Sequence, residues 1–161
     1  MPIDSLPLSS QQVKNFSGYG KAIPVDSDLP SENTKEYFLW AFDTKTKRKV
    51  PKNPKPSPVG KWLFYVSNDK VDAAWKSVKE ALANGKLGPV AKVSTMFANT
   101  YFKDRVVVVY TYDWTDKADV MRVRGELRKL GVTEKIYYKT DEMTRKRIYG
   151  EEERKLAPYF E

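Results

Sequence analysis

A chain of 161 residues, 40 % of them hydrophobic, is long enough to bury a core of its own. It has no Cys and no His, which excludes disulfides, thiolate or imidazole metal sites and a histidine general base, so neither a metal nor a cofactor is expected. The formal charge of +8 is concentrated: Lys45, Lys47, Arg48, Lys49, Lys52, Lys55 and Lys61 lie between Thr44 and Lys61 with no acid among them, leaving +1 for the remainder.

Residues 1–35 contain Pro2, Pro7, Pro24 and Pro30 and no clean period, the pattern of an irregular arm ahead of a single domain at 36–161. The opening MPIDSLPLSSQQ has no basic or apolar signal region, and no run approaches the ~18 apolar residues of a membrane span. A cytoplasmic protein without a membrane partner is the expectation. Lys and Glu richness without Cys is also compatible with a heat-adapted source.

Glu36–Asp43 (EYFLWAFD) reads as a first strand, too aromatic to face water on both sides. The basic segment follows, and Pro51, Pro54, Pro56 and Pro58 forbid helix or central strand there. It is either a solvated, proline-stiffened connector or an arm suited to phosphates. Lys61–Ser67 is a second strand. Ser67 or Asn68 would cap a helix over 69–84, whose Val71, Trp75, Val78 and Leu82 share one face. Leu87–Thr95 is a third strand. Val106–Val109, extended by Tyr110, Thr111 and Tyr112, has the β-branched composition of a central strand. Thr115 or Asp116 would cap a second helix, with Val120, Val123, Leu127 and Leu130 on its buried face. Gly85 and Gly131 are placed to end the two helices in left-handed conformation. Lys135–Lys139 is a further strand, and Thr140 caps a short basic helix over 141–149 that carries Arg145. Two strand pairs with no helix inside them point to an α+β fold: a curved, mainly antiparallel sheet with two long helices on one face.

Nucleotide-loop, dinucleotide, zinc-protease and serine-hydrolase motifs are all absent. Asp113, Asp116 and Asp119 read as turn and cap residues, and Asp141-Glu142 as a favourable helix start rather than an acid pair. The chemistry left to the sequence is cationic and aromatic. Lys45, Lys47, Arg48, Lys49, Lys52, Lys55, Lys61 and Arg145 are the candidate phosphate contacts. Trp62, Tyr65, Tyr110, Tyr112, Tyr137 and Tyr138 lie on strands, where alternation turns some outward to stack bases or inward to fill a core. Trp62 and Tyr112, with Trp114 in the following turn, are the stacking candidates.

GKWLFYVSNDKVDAAWKSVKEALANGKLGPVAKVST, VVVVYTYDWTDKADVMRVRGELRKLG and YYKTDEMTRKRIYG together resemble the basophilic-leukaemia-expressed protein family over residues 58 to 150. The resemblance implies a translation initiation factor 4E-like fold. Glu36–Phe42 is similar to that factor's first core strand, and Val71-Asp72-Ala73-Ala74-Trp75 to its helix start, where the Trp supports a partner peptide. It thus makes Trp75 a partner-binding candidate. The factor's two cap-stacking Trp have no counterpart in Thr44–Gly60 or Gly85–Ala91, which hold no aromatic residue. Three functions fit: a binding module contacting RNA or nucleotide phosphates through the basic segment and neighbouring aromatics, a protein-interaction adaptor, or a phosphothreonine-lyase-like enzyme. The absence of His argues against the last.

Overall fold

The computed structural model describes residues 29–46, 57–97 and 103–161. Among the described residues, six strands form one curved antiparallel sheet in the order β1-β3-β4-β2-β5-β6. They are β1 (Phe38–Phe42), β2 (Gly60–Ser67), β3 (Val90–Ser94), β4 (Asp104–Thr111), β5 (Tyr137–Thr140) and β6 (Tyr159–Phe160). The long helices are α1 (Val71–Ala83) and α2 (Lys117–Lys129), and two short ones, α3 (Asp141–Arg145) and α4 (Gly150–Leu156), precede β6. The α+β fold read from the strand pairs is the one formed.

Val106–Val109 lies within β4, the strand held between β3 and β2, and all four residues are buried. A β-branched run suits that position because both of its faces are covered. Period-two alternation then sorts the strands onto two faces. Ala41, Trp62, Phe64, Ala91, Val93, Val107, Val109 and Tyr138 join Val71, Trp75, Val78 and Leu82 of α1 and Val120, Val123 and Leu127 of α2 in one core. The opposite face, here the front face, gathers Phe38, Trp40, Phe42, Leu63, Val90, Val106, Val108 and Tyr110.

The helix ends follow their side chains. Asp116 accepts the Asp119 amide at 3.2 Å, and Thr140 accepts that of Met143 at 3.1 Å. Gly85 (φ +70°) and Gly131 (φ +102°) adopt the left-handed conformation expected of them. The start of α1 differs from expectation. The helix begins at Val71 with no side-chain cap, because Ser67 remains in β2 and a turn over 68–70 intervenes. Instead Ser31 reaches α1 from outside, its amide and hydroxyl donating to Asp72 at 3.0 and 2.5 Å. The Met96 amide donates to Pro30 and that of Phe97 to Asn33, so residues 30–33 are stitched to the end of β3. Residues 1–28 of the expected arm lie outside the described residues, as does most of the basic segment, 47–56. The last helix, expected over 141–149, ends at Arg145 as α3, and the acidic run Glu151–Glu153 opens a separate short helix, α4. The apolar tail becomes β6, paired to β5 through Tyr137 opposite Phe160 and Tyr138 opposite Tyr159.

Candidate functional site on the front sheet face

The pairing registers place side chains of distant segments side by side. Trp40 lies opposite Lys92, Lys92 opposite Val108, Val108 opposite Leu63, Leu63 opposite Tyr137, and Tyr137 opposite Phe160. This front row crosses all six strands. Next to it, Tyr110 lies opposite Lys61 and Lys61 opposite Lys139. Three lysines from β2, β3 and β5 therefore share one patch of one face. All are at most 2 % exposed.

Each ammonium is set among rings and acids. Lys92 Nζ lies 4.1 Å from the centroid of Phe38, 5.3 Å from Trp40 and 6.0 Å from Tyr110. Lys61 Nζ is 5.4 Å from the Tyr110 ring and 3.7 Å from the Asp141 carboxylate. Lys139 Nζ is 4.1 Å from the Tyr149 ring and 3.3 Å from Glu153, so α4 closes over that end of the patch. Burial pushes the Asp141 carboxyl above the usual carboxylate range, while Lys61 and Lys92 pull it back down. A cation over a ring gains about 0.5–2 kcal/mol. Removing an ion from water costs several kcal/mol, and replacing buried pairs with apolar side chains is often neutral or stabilising. A cationic layer is thus a costly way to fill a sheet face. As folded it is closed: the three ammonium groups and the Phe38, Trp40 and Tyr110 rings are all buried, and their chemistry is spent on one another and on Asp141 and Glu153.

The basic segment leaves from the same end of the sheet. Its first foot is an Asx turn in which Asp43 accepts the amides of Lys45 (2.7 Å) and Thr46 (3.1 Å) and the Thr46 hydroxyl (2.5 Å). Its second foot is held by the Ser57 amide on Glu142 (2.9 Å) and by the carbonyls of Pro58 and Val59, which accept from Trp114 (2.8 Å) and Asp141 (2.9 Å).

Of the phosphate candidates, Lys45 is exposed at the first foot, and Lys47, Arg48, Lys49, Lys52 and Lys55 lie outside the described residues. Lys61 is corrected: it is a buried strand residue, because alternation in β2 turns it inward to Tyr110 and Asp141. Arg145 is exposed but engaged by Glu142, at 2.9 Å from Nε and 2.6 Å from Nη2. That hydrogen bond raises its pKa and lowers that of Glu142.

The stacking candidates are not brought together. Trp62 is fully buried on the helix side, where its Nε1 donates to the Val120 carbonyl at 3.1 Å and its ring meets Tyr138 edge-on at 5.1 Å. As folded it presents no face to a base. Trp114 packs half-buried against the same helix-side core, and its carbonyl accepts the Tyr159 hydroxyl at 2.8 Å. Tyr112 is nearly buried at the sheet end, its hydroxyl 3.4 Å from that of Thr46. Trp75, the partner-binding candidate, is corrected likewise: it is 2 % exposed because its helix face is spent on the sheet. Sequence reasoning missed Lys92, Lys139 and Asp141. The lysines could have been suspected, since VAKVS and YYKT each set a Lys at a strand position whose neighbours are buried.

The fold is shared with translation initiation factors. A schistosome eIF4E solved with m7GpppA and 4E-BP superposes with a TM-score of 0.59 at 17% identity, covering 78% of this chain and 70% of that one. The Ascaris suum eIF4E-3 complex with an m2,2,7G cap gives 0.53 at 21% identity, covering 71% and 68%. The C. elegans eIF4E-3 complex with the 4E-binding protein Mextli and a cap analog gives 0.54 at 18%, covering 73% and 71%. These likenesses establish the fold alone. The family model described as Basophilic leukemia-expressed protein Bles03 matches residues 57–145, more than half of the chain, and the protein belongs to that family.

Proposed function

We propose that the protein is a non-enzymatic binding module that takes RNA or a nucleotide through its phosphates at the cations of its basic segment, Lys45, Lys47, Arg48, Lys49, Lys52 and Lys55. The observation that carries this reading is that these six cations have no acid among them and that the first, Lys45, stands exposed at the Asp43 turn from which the segment departs. The fold neighbours solved with cap nucleotides support a nucleotide as the ligand class. The ligand would be held by charge rather than between two Trp, since Trp62 and Trp75 are core residues and Trp114 packs on the helix side. The adaptor reading has less support, because Trp75 is not on a surface.

The test is titration of a short single-stranded RNA with wild type and with the double variant Lys52→Ser, Lys55→Ser, at several salt concentrations. Each phosphate neutralised contributes about −0.7 to the slope of log affinity against log salt, so losing two contacts should flatten it by about 1.4. Near-ultraviolet circular dichroism verifies that the variant is folded. A folded variant binding with wild-type affinity and slope would refute the reading. Lys139→Met, at a fully buried position whose partner Glu153 is 20 % exposed and can turn to water, should bind with the wild-type slope.

A further inference from the structure

The sheet carries two cores that are not built alike. On the back, strand residues meet α1 and α2. On the front, Phe38, Trp40, Phe42, Val90, Val106 and Val108 gather with Val59, Leu63 and Tyr110, and among the described residues no helix side chain joins them. Every member is nonetheless at most 6 % exposed. Strand side chains stand out from a sheet, so a single layer cannot bury its own tips. The contacts of α3 and α4 with this face are at its Lys61–Lys139 end, through Asp141, Tyr149 and Glu153. The front core is therefore one half of a sandwich, and its other half belongs to residues 1–28, 47–56 or 98–102, the rest of this chain.

We infer that residues 1–28 lie across the front face of β1, β3 and β4 and supply its second layer. Composition and reach separate the three stretches. Residues 47–56 offer one aliphatic side chain, Val50, among five cations whose burial would be costly. Residues 98–102 hold two rings, Tyr101 and Phe102, but they only link Phe97, held by the Asn33 carbonyl, to the start of β4. They serve the Phe38 end of the face, whereas Phe42 and Val90 lie four residues further along the strands, about 13 Å away. Residues 1–28 carry Leu8, Val13, Phe16, Tyr19, Ile23 and Val25, with two Lys and three Asp. They also enter at a suitable place. Residues 30–33 hold the end of β3, because the amides of Met96 and Phe97 donate to the carbonyls of Pro30 and Asn33. There Ser94 lies opposite Phe38, the first member of the front core. From that point 28 residues reach up to about 90 Å, against about 15 Å from β1 across to β2.

The chain has no Cys, so one introduced thiol reports on one position. Val108→Cys sets it on the front face and Val107→Cys on the back of the same strand, both at 0 % exposure. Each is made in the full chain with the native arm and with the triple variant Phe16→Ser, Tyr19→Ser, Ile23→Ser, and alkylation by iodoacetamide is timed under native conditions. Changing the arm should speed the reaction of the Val108→Cys thiol by about 100-fold or more, because three apolar side chains no longer hold the cover down. The Val107→Cys thiol should keep its rate. An unchanged rate at the front position would overturn the inference. Equal acceleration at both positions would do so too, since the arm would then support the whole fold without covering one face. Acceleration by Val50→Ser, or by Tyr101→Ser with Phe102→Ser, where the arm variant has no effect would give the cover to another stretch. If the triple variant does not fold, Ile23→Ser alone is timed instead, and a front-only gain of about tenfold is the expected result.

Discussion

Trp62→Phe separates a core residue from a ligand platform. In the structure the indole is fully buried, its Nε1 donates to the Val120 carbonyl at 3.1 Å, and its ring meets Tyr138 at 5.1 Å and the Arg124 guanidinium carbon at 5.9 Å. Phe keeps the ring and loses the donor. Val120 lies inside α2, where its carbonyl also has the helical amide four residues on, so the loss is that of one net hydrogen bond, about 0.5–1.5 kcal/mol. The smaller ring leaves a void worth about 1–2 kcal/mol more, below the about 3–5 kcal/mol of truncation to Ala. A total of about 2–3 kcal/mol corresponds to a fall in Tm of about 4–12 °C for a chain of this size. Differential scanning fluorimetry measures the fall. RNA affinity of the folded variant, titrated well below its Tm, should stay within about twofold of wild type, as for a change that leaves the binding surface intact. An unchanged Tm, or a tenfold loss of affinity in a folded variant, would refute the assignment of Trp62 to the core.

Changing Lys45, Lys47, Arg48 and Lys49 to Ser should flatten most of a salt slope that is near −3 if about four phosphates are engaged. Chemical denaturation should show little change in stability, and an unchanged slope would reduce the segment to a connector. Gly88→Ala should destabilise by at least the about 1–3 kcal/mol of overpacking, read as a lower urea midpoint, because its Cβ would sit on the Tyr110 backbone carbonyl, which cannot move aside. Burial holds the Tyr138 hydroxyl well above its ordinary pKa, and the unfolded chain gives up this proton first. Its contribution is complete below a pH of about 10 and falls as pH rises beyond it. Urea midpoints across that range should decline less steeply in Tyr138→Phe than in wild type.

Local pattern was enough for most of the elements. The valine run of β4, the helical spacing of Val71, Trp75, Val78 and Leu82, the caps at Asp116 and Thr140 and the left-handed Gly85 and Gly131 depend on residues within a few positions of one another. Alternation also says which residues share a face within one strand. It does not say which face, or what lies beside it. Trp62 and Tyr65 are both strand aromatics, yet one is buried under two helices and the other is 63 % exposed, because they differ in parity along β2 and in distance from its covered end. Lys61, Lys92 and Lys139 are 31 and 47 residues apart in sequence. Only the strand order β1-β3-β4-β2-β5-β6 and its registers bring them together. Those registers arise from packing both helices on the same face, which no stretch of the chain encodes alone. The basic segment was visible as composition, whereas the cationic and aromatic front face exists only because distant strands pair.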